Sequence, residues 1–332
     1  MMRSWWNTGG GLLPAGLLAV PAWSNTNPAR PGTLNYVEGQ ASIASQVVNS
    51  KSVGSTELDA GQVLATQNGK AEILLTPGVF LRIDSNSEVR MDSPGIADTE
   101  LTLQRGRALV EVAEIRKENN IVIREDDTST RLMKKGLYEF DANAGQVRVF
   151  DGKAEVMAGD RKVEVGGGHL LAFNNPKLKA EGFDKKSAEQ DEFYRWTSLR
   201  SSYLAEANMD AARVYYAGGP GWYGPGWYWD PWFTAYTWIP GDGIFWSPFG
   251  WGFYSPFAIG YAPFYGGFYG GYYRHFGPGY RPPVVVTHPG IARGFSGGGF
   301  AGRGVGGFSG GGFHGGGGFH GGGGFHGGGG RR

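Results

Sequence analysis

The chain has no cysteine, so disulfides, thiolate metal sites, cysteine nucleophiles and a lipid-modified N-terminal cysteine are excluded together. Neither charge is in excess. The 31 basic and 30 acidic side chains leave a net of +1, which supplies no global attraction to nucleic acid or to a membrane surface. A continuous apolar run able to cross a bilayer, about 20 residues, is also missing. The one uncharged stretch of sufficient length, 243–273, is interrupted by eight glycines and by Pro248, Pro256 and Pro263, which oppose an unbroken helix. No transmembrane helix is expected in the mature chain. Glycine and proline are plentiful instead, 60 and 18 residues, and they crowd the C-terminal part, so the length that can bury a core is mostly 34–213.

Residues 34–173 contain short segments in which apolar and polar residues alternate, each closed by a Gly, Asn, Asp or Pro turn. Val79, Leu81 and Ile83, then Val89 and Met91, then Ala108, Val110 and Val112 keep this period of two. Ile121 and Ile123, Val147 and Val149, Val156, Val163 and Val165, and Leu171 and Phe173 continue it. Such a period puts the apolar residues on one face of each strand, and frequent returns let successive strands bury that face together. The expected class is mainly β: a module of stacked short strands, followed by one amphipathic helix and a long disordered tail rich in aromatics and glycine. Arg82, Glu111, Arg148 and Glu155, on the other beat of the alternation, are read as an outward, solvated face that discourages edge pairing.

The order of the turn motifs carries a resemblance. Val37-Glu38-Gly39-Gln40-Ala41 is followed by Leu58 to Thr66 around Gly61, by Gly69-Lys70-Ala71-Glu72-Ile73-Leu74-Leu75, and by Leu101 to Ala108 around Gly106. Gly145 to Val156 and Gly166 to Phe173 complete the series. In this order and spacing residues 34–173 resemble the FecR-type domain of bacterial envelope proteins. The resemblance implies an extracytoplasmic β-rich module, a β-helix or sandwich-like stack. In the founding members it sits in the periplasm and relays the occupancy of an outer-membrane receptor, through one membrane helix, to a cytosolic anti-sigma segment. Two departures stand out. No anti-sigma region or membrane helix precedes Leu34, which counts against sigma-factor regulation, and Gly136-Leu137 stands where the family usually has Gly-Thr.

Residues 1–24 read as an export signal: Arg3, an apolar run through Leu12, Leu13, Leu17, Leu18 and Val20, and small residues Ala22 and Ser24 before a cut at Asn25. Residues 25–33 read as a linker. The expected location is therefore the periplasm, the outer envelope or the extracellular space. Between 184 and 213 the period changes to three and four, which places Phe193, Trp196, Leu199, Tyr203 and Ala207 on one helix face. Ser187 and Gln190 have the form of a capping box, and Gly218, Gly219 and Pro220 that of a stop.

Residues 214–289 form a low-complexity segment of Trp, Tyr, Phe, Gly and Pro, whose interruptions oppose a conventional core. Its rings suit stacking on sugars, other rings and surfaces. Trp222, Trp227, Trp229, Trp232 and Trp238 are the candidate partner-binding residues. In the glycine-rich tail, 290–332, Phe-His pairs recur every six residues, and His314, His320 and His326 are candidates for loose binding of a divalent metal. Otherwise no cofactor is expected. Arg293 and Arg303 beside glycine resemble segments that bind single strands, but export argues against nucleic acid. Catalysis has little to stand on: His169 is the only histidine before residue 275, and Asp126-Asp127 and Glu111 with Glu114 are explained by loop and surface charge. The sequence thus points to a non-enzymatic exported envelope or matrix protein, a FecR-like scaffold with an adhesive or assembly tail. Its partners would be envelope proteins, polysaccharide or further copies of itself. The alternatives are a periplasmic sensor or regulatory module reading a protein partner, and metal binding by the tail.

Overall fold

Alternation becomes strand throughout the first half of the chain. The computed structural model describes residues 29–218 and 222–260. Fifteen strands come first: β1 (Leu34–Ile43), β2 (Gln46–Val48), β3 (Val63–Leu74), β4 (Val79–Ile83), β5 (Glu88–Pro94), β6 (Asp98–Arg105), β7 (Arg107–Val112) and β8 (Asn120–Glu125). Then follow β9 (Thr128–Leu132), β10 (Gly136–Asp141), β11 (Gln146–Asp151), β12 (Lys153–Ala158), β13 (Arg161–Gly166), β14 (His169–Ala172) and β15 (Glu181–Gly182). They form one sheet in the order β13-β12-β9-β8-β6-β5-β3-β4-β7-β10-β11-β14-β15, with β1 on β3 and β2 on β1. All its pairs are antiparallel except β6 with β8. The long β3 turns the sheet: Val63–Ala65 pair with β5, and Ala71–Leu74 pair with β4.

The sheet curls around one apolar interior. Val79, Leu81, Ile83, Val110, Ile123, Val149 and Val156 meet there, as the period of two requires. At the β11–β12 turn Gly152 has φ +98°, and a Cβ would lie 2.3 Å from the Tyr138 hydroxyl. Only glycine leaves room for that hydroxyl, which donates to the Lys134 carbonyl (2.6 Å) and accepts from the Lys153 amide (3.1 Å).

The other face of β3, β4, β7, β10 and β11 is covered too, which corrects the reading of a solvated face. Arg82 and Glu111 are wholly buried and Arg148 is half-buried against Glu139, whereas Glu155 lies on β12, outside these strands, paired with the more open Arg131 and Lys162. The cover begins with α1 (Lys185–Ala188) and α2 (Glu192–Tyr216). Asp191, not Ser187, caps the long helix, accepting from the amides of Phe193 and Tyr194 at 2.9 and 3.3 Å. Its buried face is also rotated from the expected one. Phe193 and Ala207 are inside, but with them are Thr197, Arg200, Ser201, Leu204, Asn208 and Ala211, while Leu199 is exposed. Polar groups on the sheet select polar partners on the helix, so the most apolar stripe is not the buried one.

Aromatic hairpins complete the cover. β16 (Gly226–Asp230) pairs with β17 (Ala235–Ile239), β18 (Ile244–Trp246) pairs with β19 (Gly252–Tyr254), and the single turn α3 (Pro256–Ile259) follows. This part of the aromatic segment therefore does build a core, in partnership with the sheet: Trp238 and Phe253 are fully buried against Phe80, Leu74 and Leu204. Glycine and proline stand at the ends and turns of strands three to five residues long, where they interrupt nothing. Close packing needs one glycine outside the hairpins. A Cβ on Gly54 would lie 2.6 Å from the Trp229 ring.

Two buried asparagines stitch the hairpins down. Asn35 accepts from the Tyr236 amide (2.7 Å) and donates to its carbonyl (3.0 Å), standing where a neighbouring strand would stand. Asn208 of α2 donates to the carbonyls of Trp238 (2.8 Å) and Tyr254 (3.0 Å) and accepts from the Tyr254 amide (2.7 Å), joining both hairpins to the helix. Asn208→Ala leaves three buried backbone groups without that partner and should lower stability by about 2 kcal/mol. Urea unfolding reads the loss, and amide exchange at Tyr254 should accelerate with it. A loss below about 0.5 kcal/mol would show that the clamp is dispensable.

Candidate functional site

The polar seam between the sheet and its cover is the most unusual chemistry among the described residues. Register builds it: Glu72 of β3 lies opposite Arg82 of β4, and Glu111 of β7 lies opposite Phe80, two residues from Arg82. Arg82 donates through Nε to Glu72 Oε2 and through Nη1 to Glu111 Oε2, each at 2.6 Å. The helix supplies the remaining partners. Arg200 Nη2 donates to Glu72 Oε1 (3.1 Å) and Ser201 Oγ to Glu111 Oε1 (2.6 Å), while Asn35 Nδ2 also donates to Glu72 Oε1 (2.9 Å). Two arginines and two glutamates balance in charge. Burial opposes ionisation of Glu72, but Arg200 and Arg82 outweigh it and hold the carboxyl below its usual range. For Arg82 the same contest ends in favour of the charged form.

The match is tight but not saturated. Arg82 Nη2, Arg200 Nε and Thr197 Oγ1 are buried without a hydrogen-bond partner. The Arg200 guanidinium also lies 3.9 Å from the Tyr36 ring centroid, and burial, above all, pushes the Tyr36 hydroxyl up to about 12.

A second cluster fixes the start of α2. Arg107 of β7 contacts Asp84 (2.5 Å), the helix cap Asp191 (3.1 Å) and Glu139 (3.6 Å), and Lys70 reaches Glu192 at 3.1 Å. Burial works against the Asp191 carboxylate, but the Arg107 hydrogen bond and charge pull it below its usual range. For Glu139 burial prevails over Arg148 and Arg107 and raises the carboxyl. Residues from distant strands are thus tied to one helix turn. The arrangement holds these elements together.

Three of the expected partner-binding residues come together, but as packing: Trp227, Trp229 and Trp238 share one apolar cluster. Trp238 is fully buried beside Phe245 and Phe253, with ring centroids 5.2 and 5.6 Å away. Trp227 packs on Phe80 (5.1 Å), Trp229 on Tyr236 (5.1 Å) and Trp222 on Phe257 (5.3 Å). Of the five, Trp232 is the one that is largely open, at 66% exposure. His314, His320 and His326 lie outside the described residues. Among the described residues no group of three or more His, Cys, Asp or Glu could hold a metal ion. His169 is exposed, its Nδ1 3.1 Å from the Gly167 carbonyl oxygen. Asn35, Glu72, Arg200, Ser201 and Asn208 were not singled out by the sequence. For Asn35 and Glu72 the signal is a polar residue on a strand beat that must be buried if the sheet's second face is covered, and for Arg200, Ser201 and Asn208 it lies only in what the helix faces.

Comparison with known proteins agrees with the motif order. The profile of the FecR protein family matches residues 37–156, rather more than a third of the chain. No curated protein matches. Similar solved structures include two of a candidate anti-sigma factor from Parabacteroides distasonis ATCC 8503, at 2.50 and 1.65 Å. The first is 14% identical with a TM-score of 0.33, covering 39% of this chain and 63% of its own, and the second is 12% identical with a TM-score of 0.33, covering 37% and 60%. The matched part is less than two thirds of either of those chains. No helix among the described residues is long and apolar enough to cross a membrane. The motif series, the curled antiparallel sheet and the profile coincide, and the chain carries a FecR-type domain over residues 37–156.

Proposed function

We propose that the chain is a non-enzymatic regulatory module of the cell envelope, exported by its N-terminal segment, that reads a protein partner. The match of residues 37–156 to the FecR family carries this reading. The buried polar groups of the seam support it, because their partners are other side chains of the fold. An adhesive role for the aromatic segment has less to rest on, since Trp227, Trp229 and Trp238 are engaged in packing on the sheet and within the hairpins.

Deleting the coding sequence from its host and recording transcripts tests the proposal. At least one coherent gene set should change several-fold, and the full chain expressed from a second site should restore it. Product recovered from the periplasm should begin at Asn25. An unaltered transcript profile, or an intact Met1 in the cytosol, would overturn the reading.

A further inference from the structure

A patch of exposed rings lies where α2, the entry to β16 and α3 come together. Tyr216 is 62% exposed, Tyr223 86% and Phe257 65%. Trp222 stacks edge-on against Phe257 with centroids 5.3 Å apart, and Tyr215 does the same with Tyr228 at 5.1 Å. Gly260 belongs to the patch, for a Cβ there would lie 2.8 Å from the Tyr216 ring. Three large rings open to water at one end of a helix are an unsatisfied apolar surface. One polar group in it is also unsatisfied: Trp222 Nε1 is buried and has no acceptor.

The chain leaves the described residues at Gly260, beside this patch. Its next thirteen residues, 261–273, carry no charge, and pair rings with glycines at a period of four: Phe264-Tyr265, Gly266-Gly267, Phe268-Tyr269, Gly270-Gly271, Tyr272-Tyr273. In an extended chain that period puts Phe264, Phe268 and Tyr272 on one face, about 13 Å apart, with a glycine gap between each pair. Those gaps are of a size to admit a ring from the surface below, and glycine leaves its backbone carbonyl open to approach by an indole N–H. Phe264 is four residues from Gly260, so it is within about 14 Å of the patch. We propose that the patch of Tyr216, Trp222, Tyr223 and Phe257 is the seat of residues 261–273 of the same chain, held by interleaved rings and by a hydrogen bond from Trp222 Nε1 to a carbonyl of that stretch. The tether favours this occupant over a second copy, because a short link keeps the local concentration of the segment in the millimolar range.

The cysteine-free chain allows a direct test in the full-length protein. Tyr223→Cys with Phe268→Cys should form an intramolecular disulfide on mild oxidation at least tenfold faster than the same pair in a chain that also carries Phe264→Ser and Tyr272→Ser, where the tether is kept and the interleaved rings are gone. The rate should not depend on protein concentration. Equal rates in the two proteins overturn the proposal, and so do bridges formed only between chains, which would assign the patch to a second copy. A second measurement needs no cysteine: replacing Phe264, Phe268 and Tyr272 by Ser should raise hydroxyl-radical oxidation of Trp222 and Phe257 severalfold. Unchanged oxidation overturns it as well.

Discussion

Arg82→Met should lower the unfolding free energy by about 3–5 kcal/mol, the cost of leaving buried carboxylates without their cation. Glu72 would keep Arg200 and Asn35, but Glu111 would keep only the Ser201 hydroxyl. Adding Glu111→Gln to that variant should recover most of the loss, because Glu72 keeps Arg200 and the penalty belongs to unpaired charge rather than to missing attraction. Urea unfolding at neutral pH measures both steps. The double variant sinks the argument if it is no more stable than Arg82→Met. Acid offers a further check. The Glu72 carboxyl sits below its usual range in the fold, so its contribution is full above an unfolded value near 4.5 and is lost as pH falls through the lower folded value. Acidification should therefore weaken the native protein and narrow its advantage over the variant.

Glu125 predicts the opposite pH trend. Its side chain is 2% exposed at the end of β8, and neither carboxyl oxygen has a hydrogen-bond partner. Burial first, then the charges of Asp141 and Asp126, push the carboxyl up to about 9 from 4.5. Folding therefore favours the protonated acid. Its share of stability is complete below about 4.5 and is lost as pH rises through about 9. Between those limits the slope is about 1.4 kcal/mol per pH unit, which makes the cost at pH 7 about 3 kcal/mol. Glu125→Gln, neutral at every pH, should remove the slope and leave the protein about that much more stable at pH 7. Parallel stability-against-pH curves for the two proteins would refute the assignment.

The interior of the β-module was legible because alternation is a local signal. Val79, Leu81, Ile83, Val110 and Val149 announce a common face without reference to anything else in the chain. Alternation does not say whether the second face meets water. Arg82 and Glu111 look solvated as isolated residues, and only the apolar residues on the same beat, Leu74, Phe80, Leu109, Leu137 and Phe150, hint at a cover. The cover lies far off in sequence: Asn35 meets Tyr236 across 201 residues and Arg200 meets Glu72 across 128. For the same reason the helix face was misjudged, since Arg200, Ser201 and Asn208 are buried by what opposes them. The hairpins were missed because their strands are too short to show a period, and their rings look alike whether they are packed or open.

Because the seam is shared by the sheet and its cover, the stretch matched by the family profile is narrower than the unit that folds. Cut after Phe173, the chain would present Phe80, Leu109 and Phe150 to solvent, with Arg82 between two carboxylates that have lost their helix partners. Cut after Arg213, it would still lack Trp238 and Phe253. The earliest boundary that keeps the described core whole is after Gly260, so fragments for expression, and searches for kin, are better framed by residues 29–260 than by the motif series alone.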